Sequence, residues 1–290
     1  MFDLIKLAFM ACNDDAKEWY DTIPRNVVKV DVQNCCLELK KSIIENSRDL
    51  SNTELCTAAA FNGHYDCLKF AHRIGYSWNE STCSSAACRG NLDCLEYLKE
   101  NGCPWDVETC IRAAGNDQLS CLKYAVENGC PVTRDAMNSS AKAGHLNCIK
   151  YMHSMEVVWD EFTCSYAAEN GHIDCLRYLH ENGCPWNEHV SYWVALNGHL
   201  ECLIYAHENG CPWNDLVSCF AAIKGRLSCM IYAHENGCPW HEDTTFYAGM
   251  GRHTDCLTYA LENGCEFNDK IQKMLANFGY EVKIEISTEE

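Results

Sequence analysis

The pattern of apolar and polar positions repeats every 27 residues along most of this chain. Eight cysteines mark the period, and each is followed by Leu, Ile or Met and, three residues on, by an aromatic side chain: Cys67, Cys94, Cys121, Cys148, Cys175, Cys202, Cys229 and Cys256. No insertion interrupts the series. A rigid period of this length is typical of units that stack on one another and cannot accept an extra residue.

Each unit predicts two short helices with a tight turn after each. In the copy that starts at Pro185, Asn187 is suited to cap a first helix, "EHVSYWVAL", which ends where Gly198 supplies a left-handed residue. The second helix, "ECLIYAHEN", ends in the same way at Gly210. Both helices are too short to persist alone in water, so they must bury an apolar face against adjacent units.

Helical periodicity assigns the core faces of these helices. At about 100° per residue, the second helix places on one side its cysteine, the next residue and the one four after the cysteine: Cys175, Leu176 and Leu179. The first helix places small residues together: Thr163, Cys164, Ala167 and Ala168. Small side chains on that face allow the helices to approach closely.

The stretch "TCSYAAENGHIDCLRYLHENGCPWN", Thr163 to Asn187, resembles an ankyrin repeat. The resemblance rests on the Thr that opens the first helix, the Ala-Ala near its end, the Asn-Gly-His turn and the closing Glu-Asn-Gly, and it covers about residues 52 to 268. The unit has 27 residues rather than roughly 33, and Cys-Pro-Trp stands where an ankyrin repeat has a β-hairpin. Short repeats of this Cys-Pro-Trp type are similar to those of large DNA viruses of amoebae and of some protists.

The period and the resemblance together predict an all-α fold, an ankyrin-like helical repeat solenoid with shortened turns between repeats. We expect a degenerate N-terminal helical cap over residues 1–51, the repeat array over 52–268, and a capping helix with a polar tail over 269–290. The resemblance implies protein binding and no catalysis.

Two residues replace turn glycines. Glu156 stands where a positive φ is expected, so the turn must rearrange or strain, and we predict a weak point between residues 153 and 159. Asp117 replaces the glycine between the two helices of its repeat, a milder change because Asp tolerates the left-handed region.

Composition places limits on the compartment. The chain has 290 residues and 23 cysteines, its first residues read as an amphipathic helix rather than a secretory signal, and no apolar run approaches the length needed to span a bilayer. We therefore expect a cytoplasmic protein in a reducing environment, which is the host cytoplasm if the chain is viral, and no membrane partner.

The formal net charge of -18 bears on partners. Binding to a phosphate backbone would meet electrostatic repulsion rather than gain counterion release, so nucleic acid is not expected as a partner. A protein partner steered by the long-range field would be basic.

The cysteines form columns that favour packing over chemistry. Besides the eight in second helices, six lie in the turns (Cys103, Cys130, Cys184, Cys211, Cys238 and Cys265) and four in first helices (Cys56, Cys83, Cys110 and Cys164). Successive units about 10 Å apart are too distant for a disulfide ladder, and the spacings do not match structural zinc sites. Buried cysteine as a small apolar residue explains the columns, and no metal or other cofactor is predicted.

The histidines also recur with the period. One set follows the turn between helices, where in the resembled family a His supports the turn; the other, exemplified by His72, lies near the end of the second helix, where a cation would complement the helix dipole. A Cys-His pair could be drawn in every unit, but a nucleophile needs one uniquely perturbed site, and no phosphate-binding loop is present. We therefore predict that the chain is not an enzyme and has no catalytic residue.

The tryptophans form a further column. We expect Trp78, Trp105, Trp159, Trp186, Trp213 and Trp240, with Val132 and Phe267 at the equivalent positions, to lie across the joint between one unit and the next.

Residues that bind a partner are expected at positions where the repeats differ in sequence. The positions three and seven residues after each tryptophan are neighbours on one face of the first helix. This face points away from the Thr-Cys-Ala-Ala side. These pairs are polar in early repeats and largely apolar in later ones, where they predict partner-binding residues: Phe162, Tyr166, His189, Trp193, Leu216, Phe220 and Tyr247. The alternative is that this aromatic stripe packs on a neighbouring unit or on the C-terminal tail.

The functional prediction is a non-catalytic scaffold or adaptor that binds a protein partner, with the aromatic stripe as its contact surface. Two other hypotheses remain open: a structural subunit of a larger assembly, and a thiol-rich metal-binding protein.

Overall fold

The computed structural model describes residues 53–266 and, beyond them, Gln272, Lys273 and Ala276. The described residues form sixteen helices and no strand. In chain order the helices are α1 (Glu54–Phe61), α2 (Tyr65–Arg73), α3 (Glu80–Arg89), α4 (Leu92–Glu100), α5 (Val107–Gly115), α6 (Leu119–Glu127), α7 (Arg134–Ala143), α8 (Leu146–Ser154), α9 (Glu161–Glu169), α10 (Ile173–Glu181), α11 (Glu188–Asn197), α12 (Leu200–Glu208), α13 (Leu216–Ile223), α14 (Leu227–Glu235), α15 (Thr244–Met250) and α16 (Thr254–Glu262).

The chain divides into two compact units. The first runs to Ser140 and adds Asn147–Val158, and the second comprises Ala141–Leu146 and the chain from Trp159 onward. In the first unit α1, α3 and α5 pack side by side, and in the second α9, α11, α13 and α15 do so; each of these helices also packs on the even-numbered helix that follows it. Each 27-residue repeat contributes two helices, one to each of two layers. The structure thus confirms the predicted all-α repeat architecture.

The core lies between the two layers of helices. In α10 the fully buried residues are Cys175, Leu176 and Leu179, as the helical periodicity predicts. In α9 the buried face is the predicted one and also includes Ser165: Thr163, Cys164, Ser165, Ala167 and Ala168. Short helices without strong intrinsic stability are thus held by mutual burial of one face.

The residue that follows the tryptophan caps the first helix. Asn187 accepts a hydrogen bond from the backbone N–H of His189 through its side-chain oxygen, at 3.0 Å. Asp160 plays the same part at α9, where it accepts from the N–H groups of Phe162 and Thr163. These bonds satisfy donors that the helix itself leaves unpaired, and so they fix where each first helix begins.

The turn between the two helices of a repeat is joined to the repeat that follows. Nε2 of His172 lies 3.1 Å from the carbonyl oxygen of Lys142, thirty residues earlier, in the last turn of α7. In another repeat the Asn91 amide donates to the carbonyls of Ala60 and Phe61 at 2.8 and 2.9 Å. The polar side chain at this position therefore caps the C-terminus of the preceding repeat's first helix, whose last carbonyls have no partner within the helix.

The turn at Glu156 keeps the geometry of its glycine counterparts and is strained. Glu156 has a φ of 59°, in the left-handed region. Its N–H donates to the His153 carbonyl, in the same pattern by which Gly183 donates to His180. The turn has not rearranged, so the side chain bears the cost of the left-handed conformation. The first unit ends at Val158, two residues further on. Asp117 also has a positive φ, 58°, as its position predicts.

Glu156→Gly is expected to raise the free energy of unfolding by about 0.5–1 kcal/mol, because glycine adopts this conformation without a steric penalty. Thermal unfolding followed by circular dichroism measures the change. Glu181→Gly is the matched control: the same replacement in the last residue of the regular helix α10 should destabilise by up to about 1 kcal/mol. A lower melting temperature for Glu156→Gly would contradict the strain.

The predicted N-terminal cap over residues 1–51 lies outside the described residues, as does most of the predicted C-terminal helix and tail over 269–290. Phe267 of the tryptophan column lies outside them too.

Candidate protein-interaction surface

In four joints between described repeats, a tryptophan lies between a histidine and a tyrosine. Trp186 stacks on His180 with ring centroids 3.8 Å apart, and its other neighbour is Tyr205 of the next repeat, at 6.1 Å and 68°. Nδ1 of His180 and the Tyr205 hydroxyl are 2.9 Å apart. The same arrangement recurs around Trp78, Trp213 and Trp240. These contacts confirm the prediction that Trp78, Trp186, Trp213 and Trp240 lie across the joints.

The joint corrects the role predicted for His72 at the end of its second helix. His72 stacks on Trp78 at 3.8 Å and lies 2.9 Å from the Tyr97 hydroxyl. Burial lowers the pKa of His72 below its ordinary value. A neutral ring that packs and hydrogen-bonds therefore replaces the cation expected to complement the helix dipole.

The cysteines lie in the core, and those in the turns also act as donors. Of the cysteines in the described part of the chain, all are buried thiols except Cys88, which is half-buried. The Cys184 thiol donates to the carbonyl of the cap residue Asp160 at 3.3 Å, and Cys211 donates to that of Asn187 at 3.3 Å. Burial raises the pKa of the Cys229 thiol to about 11. Cys229 is therefore a protonated structural residue at neutral pH.

Among the described residues, no group of three or more His, Cys, Asp or Glu side chains is placed to hold a metal ion.

The predicted partner-binding residues lie at the surface of the second unit. Phe162, Trp193 and Tyr247 are exposed, with 49%, 37% and 36% of their surface accessible. The other four are half-buried: Tyr166, His189, Leu216 and Phe220. None of the seven side chains lies in the buried core, where a side chain would contribute to the stability of the fold.

Part of the stripe forms one continuous cluster. The rings of Trp193 on α11 and Phe220 on α13 are nearly parallel, with centroids 6.5 Å apart and 10° between their planes. Tyr192 contacts both, at 5.7 Å from Trp193 and 5.1 Å from Phe220, and lies 5.2 Å from His189. We refer to His189, Tyr192, Trp193 and Phe220 as the aromatic cluster.

The remaining stripe residues are not in ring contact with the aromatic cluster in the described structure. Tyr247 contacts Phe246 at 5.3 Å, on its own helix, and Phe162 and Tyr166 lie on α9 at the other end of the row. The structure thus brings together three of the seven predicted side chains and adds Tyr192. The i, i+4 rule used on the sequence overlooks Tyr192, because this residue lies three positions after His189 and directly before Trp193, between the two columns.

Apolar surface continues along the C-terminal turns of the same helices. Leu196, Ile223 and Met250 follow Trp193, Phe220 and Tyr247 by three residues, which places each on the same face one turn further along. Half of the Met250 surface is exposed, at 50%, and Leu196 and Ile223 are half-buried. The period of these positions was a signal in the sequence that could have identified them.

Acidic residues stand at the other end of these helices. Glu161, Glu188, Asp215 and Glu242 recur every 27 residues, and the first three directly precede the stripe residues Phe162, His189 and Leu216. The carboxylate of Glu188 lies close enough to Tyr192 that, together with the larger effect of burial, it raises the pKa of that phenol. Within the described part of the chain, none of these four carboxylates forms an ion pair with a basic side chain.

Comparisons with known proteins agree with the helical repeat. Residues 110–190 match the family model for ankyrin repeats, in three copies. The chain is similar to the crystal structure of the human ASB11 ankyrin repeat domain, with 17% sequence identity and a TM-score of 0.48, over 54% of this chain and 84% of that one. No curated protein matches.

Residues 110–190 are accordingly ankyrin repeats within an all-α helical repeat array, and ankyrin repeats are in general non-catalytic modules that bind proteins. Across the described residues, the helices are all too short or too polar to cross a membrane.

Proposed function

We propose that this chain is a protein-interaction scaffold or adaptor whose partner binds the aromatic stripe of the second unit: Phe162, Tyr166, His189, Trp193, Leu216, Phe220 and Tyr247. The observation that carries the proposal is the exposure of large apolar side chains in successive repeats, with Phe162, Trp193 and Tyr247 all more than one-third accessible. Contiguous exposed apolar surface marks interaction sites, because water contacts it at a free-energy cost that a partner removes.

The distribution of side chains supports the same proposal. The positions that recur in every repeat are used in the core, the caps and the joints. The stripe positions are free of those tasks, and in the later repeats they carry Trp and Tyr, the residue types enriched where binding energy concentrates.

We also propose a reducing, intracellular location, because the turn cysteines use their thiol hydrogens: Cys130 donates to the Asp106 carbonyl at 3.1 Å and Cys238 to that of Asn214 at 3.1 Å. Oxidation would remove these donors. The likeness to the Cys-Pro-Trp repeats of large DNA viruses stays a prediction, as does the absence of nucleic acid among the partners.

The double variant Trp193→Ser/Phe220→Ser tests the interaction surface. We expect it to lose at least tenfold in partner recovery when tagged protein captures partners from the native cell, because two central apolar anchors are removed. Its melting temperature should change by only a few degrees, since both side chains are partly exposed.

Val158→Ser is the matched control, because Val158 is 72% exposed but belongs to the other unit; it should leave recovery unchanged. Equal recovery with the double variant would exclude the stripe as the binding surface. A large loss of stability would instead indicate that the stripe is packing surface.

Zinc measured on freshly purified, reduced protein tests the metal-binding hypothesis, which near-zero zinc would exclude. Recovery as a stoichiometric part of a particle would favour the structural-subunit hypothesis.

A further inference from the structure

The surface of the second unit carries two parallel rows of chemically different side chains. One is the aromatic row at the centre of the first helices: Tyr166, Trp193, Phe220 and Tyr247. The other is the acidic row at their N-terminal ends: Glu161, Glu188, Asp215 and Glu242. Each row has one residue per repeat, so both run across the helices rather than along them.

The spacing of these rows matches one backbone conformation of a partner. Packed helices lie about 8–10 Å apart. A polyproline II helix rises about 3.1 Å per residue with three residues per turn, which is about 9.3 Å per turn. A segment in this conformation that crosses α9, α11, α13 and α15 would present one residue in every three to each repeat in turn.

The charge of this surface indicates which residue type the partner segment would present to each repeat. Residues 159–266 hold fifteen Asp or Glu and four Lys or Arg. The carboxylate of Glu188 acts on Tyr192 of the aromatic cluster, so aromatic faces and negative charge meet at the same place. Lys224 lies one turn beyond Phe220, at the opposite end of α13 from the acidic row.

Aromatic faces beside a carboxylate favour a cation with a flat, weakly hydrated surface. The guanidinium group of arginine stacks on aromatic rings and pairs with carboxylates, and it loses less hydration than an ammonium does. Tyr192, Trp193 and Phe220 offer three such faces within 6.5 Å of one another.

We propose that the aromatic stripe binds an extended, polyproline II-like protein segment with arginine at every third residue. One arginine lies on the aromatic cluster with its charge against Glu188, and neighbouring arginines meet Asp215 and Glu242. Apolar residues between the arginines cover Leu196, Ile223 and Met250. This assignment rests on the proposed function and defines the chemistry of its partner.

Four labelled dodecapeptides and the full chain test the assignment by fluorescence anisotropy. The first is four copies of Arg-Pro-Leu. The second replaces arginine by citrulline, which keeps the shape and removes the charge. The third has the composition of the first with its arginines adjacent, and the fourth replaces arginine by lysine.

We expect the arginine repeat to bind at least tenfold more tightly than the citrulline peptide and several-fold more tightly than the other two, with an affinity that falls as salt is added. Glu188→Gln/Asp215→Asn should weaken it about fivefold, and Trp193→Ser/Phe220→Ser at least tenfold. Glu235→Gln/Glu262→Gln removes two exposed charges from the ends of second helices and should leave affinity unchanged. Melting temperatures establish that every variant folds.

Equal affinity for the arginine and citrulline peptides, or an unchanged affinity of Glu188→Gln/Asp215→Asn, would overturn the arginine assignment. Equal affinity for the periodic and adjacent arrangements would overturn the spacing. Absence of binding by all four peptides would overturn the assignment as a whole. The proposed function fails separately, in the capture experiment with Trp193→Ser/Phe220→Ser, which does not depend on any of these peptides.

Discussion

Replacing Gly171 by alanine is expected to reduce the free energy of unfolding by about 2–4 kcal/mol, through two effects that act together. Gly171 has a φ of +75°, where a side chain is strained, and a Cβ built on it would lie 2.5 Å from Nδ1 of His199. The His199 ring cannot move away freely, because the backbone of Glu169 in the preceding repeat lies beside it. Urea unfolding followed by circular dichroism measures the loss.

Gly183→Ala separates the two effects. Gly183 has a φ of +85° in the same repeat, but no atom lies within 4 Å of the position its Cβ would take. This variant should lose only about 1 kcal/mol, from backbone strain. In the background of His199→Ala, the cost of Gly171→Ala should fall to a similar value. Equal losses for Gly171→Ala and Gly183→Ala in the unmodified chain would show that the close approach of His199 has no energetic effect.

Features that belong to a single repeat could be predicted from the sequence. The helices, their caps and their buried faces depend on neighbours within a few positions, so the period, the Asn that follows Trp186 and the Gly183 that ends α10 were sufficient to define them. The strained turn at Glu156 was identified for the same reason.

Contacts between repeats were harder to predict because they join residues about 25 to 30 positions apart. His72 was interpreted as a helix-end cation, whereas its partners, Trp78 and Tyr97, make it a neutral packing residue. The thiol of Cys184 was interpreted as an apolar filler, whereas it also donates to Asp160. Arg252, with a φ of 58°, occupies the turn position that Asp117 holds in another repeat and glycine holds in the rest, and the sequence pattern does not predict it. Periodicity predicts that such columns exist, but not which atoms meet.

The candidate surface also contains residues that the sequence predicts and one that it does not. The change from polar to apolar side chains along one helix face predicts Trp193 and Phe220 as binding residues, and the structure places their rings 6.5 Å apart. Tyr192 is not predicted because it lies between the two columns, although its ring contacts His189 of one column and Trp193 and Phe220 of the other.

Trp186→Ala is expected to reduce the free energy of unfolding by about 2–3 kcal/mol. Trp186 is half-buried, so the loss should be smaller than for a fully buried tryptophan. The variant removes the stacking on His180 at 3.8 Å and the edge contact with Tyr205 at 6.1 Å, which together hold two successive repeats against each other. Because repeats in an array are stabilised by their neighbours, hydrogen exchange should rise in α10 and α12 together.

Trp193→Ala is the matched control, with the same side chain removed seven residues further along the chain. Trp193 is 37% exposed, and its ring contacts Tyr192 and Phe220 rather than the histidine and tyrosine of a joint. It should cost no more than about 1 kcal/mol of stability and should weaken partner binding, whereas Trp186→Ala should leave the partner affinity of the folded protein unchanged. If Trp193→Ala destabilises the chain as much as Trp186→Ala does, the stripe belongs to the packing of the repeats. If the two variants separate stability from binding as expected, the recurring tryptophan has a structural role and the variable one a functional role.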